Sequence, residues 1–103
     1  MNESQVRIGN TLICSGKVLM IIPQGGKHVR QVEIRLPKFS QEPTVTATIY
    51  GGVGNVFGIY SIKVNLLQGF TQIVITAAHV QAGVGVDSDY FCNYIVIGES
   101  ISP

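Results

Sequence analysis

Two short alternating runs around a proline-bracketed turn constrain this chain more than anything else in it. In residues 32–50 (VEIRLPKFSQEPTVTATIY), Val32, Ile34 and Leu36 fall on one side of an extended chain, and Glu33 and Arg35 on the other. In the second run Val45, Ala47 and Ile49 share a side, opposed by Thr44, Thr46, Thr48 and Tyr50. A period of two marks a half-buried antiparallel strand, because successive side chains leave opposite faces of the pleat. Between the runs, residues 37–43 (PKFSQEP) read as a turn carrying one ring, Phe39.

The rest of the chain follows the same grammar. No stretch carries a helical stripe, β-branched residues dominate the apolar runs, and glycine punctuates them. Strands are expected over 11–14, continuing over 17–22 after a bend or bulge at Ser15-Gly16, and then over 29–36, 44–50, 57–67, 70–78 and 90–98. Residues 23–28, 51–55 and 79–89 are expected as loops. The glycines of 51–55 lack the Lys-Ser/Thr and the helix start that a phosphate cradle needs, so they read as a plain loop. The expectation is an all-β fold: a six- or seven-stranded antiparallel β-sandwich, or a small barrel, over 11–98. Residues 1–10 and 99–103 are expected to be tails.

At 103 residues the chain makes one domain. Charged residues are only 13% of it, about half the usual share, so part of the surface is either neutral-polar or covered by partner chains. A net charge of +1 gives no electrostatic case for nucleic acid or for an anionic membrane surface. The longest apolar runs, 18–22 and 94–97, are too short to span a bilayer as helices. Residues 1–10 (MNESQVRIGN) lack the apolar core of a signal peptide, so either the chain is made in the cytosol or an export signal precedes this sequence. In 73–75 and 94–97 both faces of the expected strand are apolar, a pattern that implies burial twice over. We read the second cover as another copy of the chain, that is, a homo-oligomer; central strands covered by loops are the alternative.

Catalytic groups do not converge in this sequence. Of the carboxylates Glu3, Glu33, Glu42, Asp87, Asp89 and Glu99, only Asp87 and Asp89 are close, and their DSD context lacks the remaining ligands of a calcium loop. His28 and His79 are the only histidines and show no metal spacing. Cys14 and Cys92 sit in expected strands as two buried thiols or, if the first and last strands pair, a disulfide. The chain therefore reads as non-enzymatic, without metal or cofactor. Binding remains. Lys27, His28, Arg30, His79, Asp87, Asp89 and Tyr90 lie in or beside the two longest loops. They supply the donors, acceptors and ring with which proteins hold a sugar, on loops where function concentrates.

The order of these pieces resembles the H-type lectin domain, the family of snail agglutinins and discoidins, and is similar to the C-terminal domains of many bacteriophage tail fibres. The resemblance rests on the strand, L-P-x-F, turn, P-x-V, strand form of 32–50; on Ser15-Gly16-Lys17-Val18 as the opening S-G-K strand; and on Gly69-Phe70 as the G-F pair. It also rests on 76–79 (TAAH), where snail lectins carry T-W-H, and on 93–98 (NYIVIG) as the closing strand. It covers about residues 11–98. The resemblance implies a six-stranded sandwich that assembles as a homotrimer and binds carbohydrate between protomers, in phage proteins as host-receptor recognition. The lectin tryptophan is absent here, since Ala77-Ala78 precede His79 and the chain has no Trp, and the lectin arginine falls near Phe57. Only His79 carries over as a sugar contact, with Tyr90 as a replacement ring. The expected function is a glycan- or host-receptor-binding module of a virion appendage. Such a module would be made in the host cytoplasm, as the missing signal peptide, high Gly and Thr, and low charge suit. The alternatives are a purely structural trimerisation or decoration module and a free cell-surface-glycan-binding lectin.

Overall fold

The computed structural model describes residues 2–22, 28–51, 57–79 and 89–100. They form seven strands: β1 (Asn2–Ile8), β2 (Thr11–Leu19), β3 (Val29–Leu36), β4 (Thr44–Gly51), β5 (Phe57–Leu66), β6 (Thr71–His79) and β7 (Tyr90–Glu99). All pairings are antiparallel, in one sheet of order β1-β2-β7-β4 and a second of order β3-β6-β5. The all-β expectation holds, and among the described residues no helix is long and apolar enough to cross a membrane.

The alternating runs behave as their pattern requires. Val32, Ile34 and Leu36 of β3 are buried while Glu33 and Arg35 are exposed, and they face Ile73 and Ile75 of β6 across a continuous register. From the four-stranded sheet, Leu12, Cys14, Tyr94, Val96 and Cys92 close the same core, with Val45, Ala47 and Ile49 of β4 packed against it. The turn after β3 plugs one end. Phe39 is fully buried, its N–H donates to Thr71 Oγ1 at 3.0 Å, and it bridges Ser100. Gly98 makes room for it: a Cβ there would lie 2.8 Å from the Phe39 ring and 2.7 Å from Pro43. The L-P-x-F and closing I-G pieces of the sequence are therefore two halves of one packing contact.

Several boundaries differ from expectation: β2 ends at Leu19 rather than at residue 22, and Gly51 and His79, expected in loops, close β4 and β6. Residues 2–8, expected within a tail, form β1. Gly9 (φ 61°), followed by Asn10 at negative φ, makes the type II′ hairpin turn that folds them onto β2. β2 runs unbroken through Ser15 and Gly16, which pair in register with Ile95 and Tyr94. The bulge lies instead in β5, between Ile59 and Ser61. At the other terminus, the 99–103 tail is partly structured, since Glu99 ends β7 and Ser100 donates its N–H to Asn10 O at 2.8 Å.

Cys14 and Cys92 are both buried and free. Their strands do pair, but Cys14 is opposite Val96 and Cys92 opposite Val18. That offset separates the two by about 13 Å at the usual rise of a strand, beyond the ~7 Å Cα limit of a disulfide. Burial pushes the Cys92 thiol up to about 11 and raises that of Cys14, where Glu3 adds to the rise and Arg7 opposes it. Burial also pushes the Tyr94 phenol up to about 12, helped by Glu3, whose carboxylate takes its hydrogen bond. An acid whose folded pKa is raised holds its proton after the unfolded chain has released its own. Stability is therefore intact below the unfolded values and drains as pH rises through the folded ones. Urea titrations are expected to give a flat stability from pH 7 to about 8.5. Above that, stability should fall from pH 9 through about 11 for Cys92 and from pH 10 through about 12 for Tyr94. The fall should be shallower in Tyr94→Phe, and a stability that stays level to pH 11 contradicts the burial argument.

The strands apolar on both faces are indeed central. Val74 alone of 73–75 points outward and is half-buried. On β7, Tyr94 and Val96 point inward, whereas Ile95 and Ile97 remain 48% and 44% exposed on the outer face. They join Val6, Ile8 and Ile13 there, with Val6, Ile13 and Ile97 directly opposite one another across three strands.

Candidate functional site

The strand ends leading to and from residues 23–27, 52–56 and 80–88 all lie at one end of the molecule. Val29 is opposite Ala78, Phe57 opposite His79, Gly51 opposite Tyr90 and Leu19 opposite Phe91. Antiparallel topology thus collects His28, Arg30, Phe57, His79, Asp89 and Tyr90, which come from four stretches of sequence, onto this end. Lys27 and Asp87, the other two candidate contacts, lie outside the described residues.

Phe57 is the hub. Its ring meets the Tyr90 ring at 4.5 Å between centroids, tilted by 54°, and the His79 ring edge-on at 5.4 Å and 77°. The Arg30 guanidinium lies 4.8 Å over Phe57 and 5.4 Å from the Tyr90 centroid, and donates to the Val29 carbonyl at 3.3 Å. A cation held on two ring faces away from water gains roughly 2 kcal/mol or more from the ring quadrupoles. Arg30 and Tyr90 are each only 1% exposed. They form the floor of this end and present no surface to a ligand. Gly51 is required by that floor, because a Cβ there would lie 2.5 Å from the Tyr90 ring and 2.5 Å from the Asp89 carbonyl oxygen. Tyr90 Oη is buried with no hydrogen-bond partner among the described residues, a polar atom left over in the apolar floor.

Above the floor the polar groups are reachable. His79 and His28 are half-buried and Asp89 is exposed. The two histidines are locked together through the backbone, the His79 N–H donating to His28 O at 2.9 Å. The imidazole of His79 is held edge-on by Phe57, and Asp89 next to Tyr90 is exposed. Among the described residues no group of three or more His, Cys, Asp or Glu is placed to hold a metal ion.

Arg30, His28, His79, Asp89 and Tyr90, all expected in or beside the two longest loops, lie at one end of the fold. Phe57 as their hub and Gly51 as the clearance for Tyr90 were not among the expected site residues. The guanidinium that stands against the Phe57 ring is that of Arg30 on β3. No family model matches this chain, and no curated protein or solved structure matches it either.

Proposed function

We propose that this domain is a non-enzymatic carbohydrate- or host-receptor-binding module, of the kind carried by phage tail fibres or similar virion appendages, and that it works as a homo-oligomer. The observation that carries the binding reading is the convergence at one end of the molecule. His79, His28 and Asp89 stand there with a floor of Phe57, Tyr90 and Arg30, the six residues coming from four separate stretches of chain. A fixed floor with reachable polar groups matches what sugar recognition asks of a protein. A hydroxyl-rich ligand is held by oriented donors and acceptors, and each one already immobile spares ordering cost on binding. The homo-oligomer, a trimer in the lectin-like reading, rests on Val6, Ile8, Ile95 and Ile97, a contiguous apolar patch on the outer face of the four-stranded sheet.

A glycan array and a host-cell binding assay test the first part. The wild-type domain is expected to retain at least one cell-surface glycan, and His79→Ala to weaken it by tenfold or more with an unchanged circular dichroism spectrum. Asp89→Ala is expected to weaken it less, because an exposed carboxylate is the more easily replaced by water. An array on which the wild type binds nothing, or on which both variants bind as it does, contradicts the reading.

A specific observation favours a second reading. Tyr90 and Arg30, two of the proposed contacts, are spent on packing, and Val6, Ile8, Ile95 and Ile97 are exposed together on the outer face of a sheet. Both suit a module that only assembles a particle. Such a module would form a stable oligomer, retain no glycan and, when deleted, stop assembly.

A further inference from the structure

A sheet edge is a row of unpaired N–H and C=O groups, and natural proteins blunt such edges to prevent pairing with other chains. The two sheets here have four edges. The β3 edge is capped at Gln31 by Ile21, which exchanges hydrogen bonds of 2.8 and 2.9 Å with it, and is followed by Pro37. β5 carries the bulge at Tyr60. β4 lies against β5 across the side of the molecule. Among the described residues β1 has no cap, proline, bulge or covering strand, and its inward-pointing charges, Glu3 and Arg7, are the one edge device it carries. It is seven residues long, regular in register from Asn2 to Ile8, free of proline and glycine, and makes no substantial contact with the second sheet.

The phase of β1 is fixed twice over. In a two-residue hairpin the residues flanking the loop exchange hydrogen bonds, so Ile8 points its backbone groups at Thr11. Independently, the Met20 N–H donates to Tyr90 O, so the even-numbered residues along β2 bond toward β7 and the odd-numbered ones toward β1. Both place the N–H and C=O groups of Glu3, Gln5 and Arg7 on the open edge. Their side chains lie on the inner face, where Glu3 takes the Tyr94 hydrogen bond and Arg7 donates to Ser100 Oγ, so pairing across the edge would exchange these partners for those of the second copy.

The sequence Glu3-Ser4-Gln5-Val6-Arg7 is charge-complementary to itself when read antiparallel. With a two-fold axis at Gln5, Glu3 stands opposite Arg7 of a second copy, Arg7 opposite its Glu3, and Gln5 opposite its Gln5. All three are positions whose backbone groups face the edge, so each pair exchanges two N–H···O=C bonds. Opposite charges directly across a ladder favour that register, and like charges oppose its alternatives. β2 lies against β3 and β4 against β5, so β1 extends past the edge of the three-stranded sheet.

We propose that β1 is a joint between two copies of this chain, pairing antiparallel about Gln5 to run the two four-stranded sheets into one, with reciprocal Glu3–Arg7 pairs setting the register. The interface is independent of the carbohydrate reading and of the apolar outer face, and it doubles whatever unit that face assembles.

Native mass measurement at micromolar concentration tests it with four proteins. The wild type is expected as an even-numbered oligomer. Gln5→Pro removes an N–H that points only outward, and is expected to halve the mass while leaving the circular dichroism spectrum unchanged. Glu3→Arg alone puts Arg against Arg, Arg7→Glu alone puts Glu against Glu, and each is expected to halve the mass as well. Mixed one to one, these two variants regain complementary pairs and are expected to return to the wild-type mass as mixed oligomers. An unchanged mass in Gln5→Pro, or a mixture that stays at the single-variant mass, overturns the proposal.

Discussion

Phe39→Ala is expected to cost about 3–5 kcal/mol of folding stability, the range for emptying a buried aromatic site. The ring is fully buried at the end of the core and anchors the turn between β3 and β4. Its backbone N–H holds Thr71 Oγ1, and the next residue's N–H donates to Glu99 O at 2.8 Å. Losing the ring therefore loosens the contact among β4, β6 and β7 as well as opening a cavity. Gly98→Val fails from the opposite direction. Any Cβ at Gly98 enters Phe39 and Pro43, and two further methyl groups have nowhere to go. Paired with Phe39→Ala, the valine is expected to recover part of the loss, because the space it needs is the space the ring vacates. Urea unfolding of the two single variants and the double variant measures the coupling, and strictly additive losses contradict a shared contact.

Gly51→Ala is the second large effect and the more informative one for the site. The added methyl would stand 2.5 Å from a backbone oxygen, that of Asp89, and 2.5 Å from the Tyr90 ring. A flexible side-chain tip could step aside; a strand backbone and a ring wedged against Phe57 do not. The expected cost is about 1–3 kcal/mol, the usual range for overpacking. The ring displacement should also appear as a changed near-ultraviolet circular dichroism signal from Tyr90 and Phe57. Since Tyr90 supports Phe57, and Phe57 supports His79, glycan retention should weaken together with that signal. A Gly51→Ala domain with wild-type stability and an unchanged aromatic spectrum contradicts the described floor.

The parts of the fold legible in the sequence were those whose pattern is local. Val32, Ile34 and Leu36 alternate because β3 has one wet face, and no distant residue is needed to see it. β1 was not legible, since Glu3, Gln5 and Arg7 against Ser4, Val6 and Ile8 is a weak alternation, and the turn at Gly9 that folds it onto β2 shows only in the structure. The site divides the same way. The loop-flanking positions of His28, His79, Asp89 and Tyr90 follow from counting strands, whereas their common hub depends on one extra residue. Counting back from the turn that joins β5 to β6 puts Phe57 on the outer face, because Ile62, Val64 and Leu66 are the inward residues. The bulge at Tyr60 shifts the register by one and turns Ile59 and Phe57 inward. The apolar parity of β5 switches from odd to even at that residue, and the bulged Tyr60 is left 76% exposed. That switch is the signal from which Phe57 could have been found. The depth of Arg30 had no such signal: an arginine beside a loop reads as surface until two rings from other strands are seen to cover it.

We propose that ligand is held at the end of the sandwich that carries His28, His79 and Asp89. Backbone amide shifts followed by nuclear magnetic resonance during titration with the best-retained glycan test it most directly. The account predicts saturable shifts concentrated at His28, His79, Asp89 and their strand neighbours, with residues 37–43 and the β1–β2 turn unmoved. Shifts centred on that opposite end, or on the outer face around Ile95 and Ile97, would contradict it.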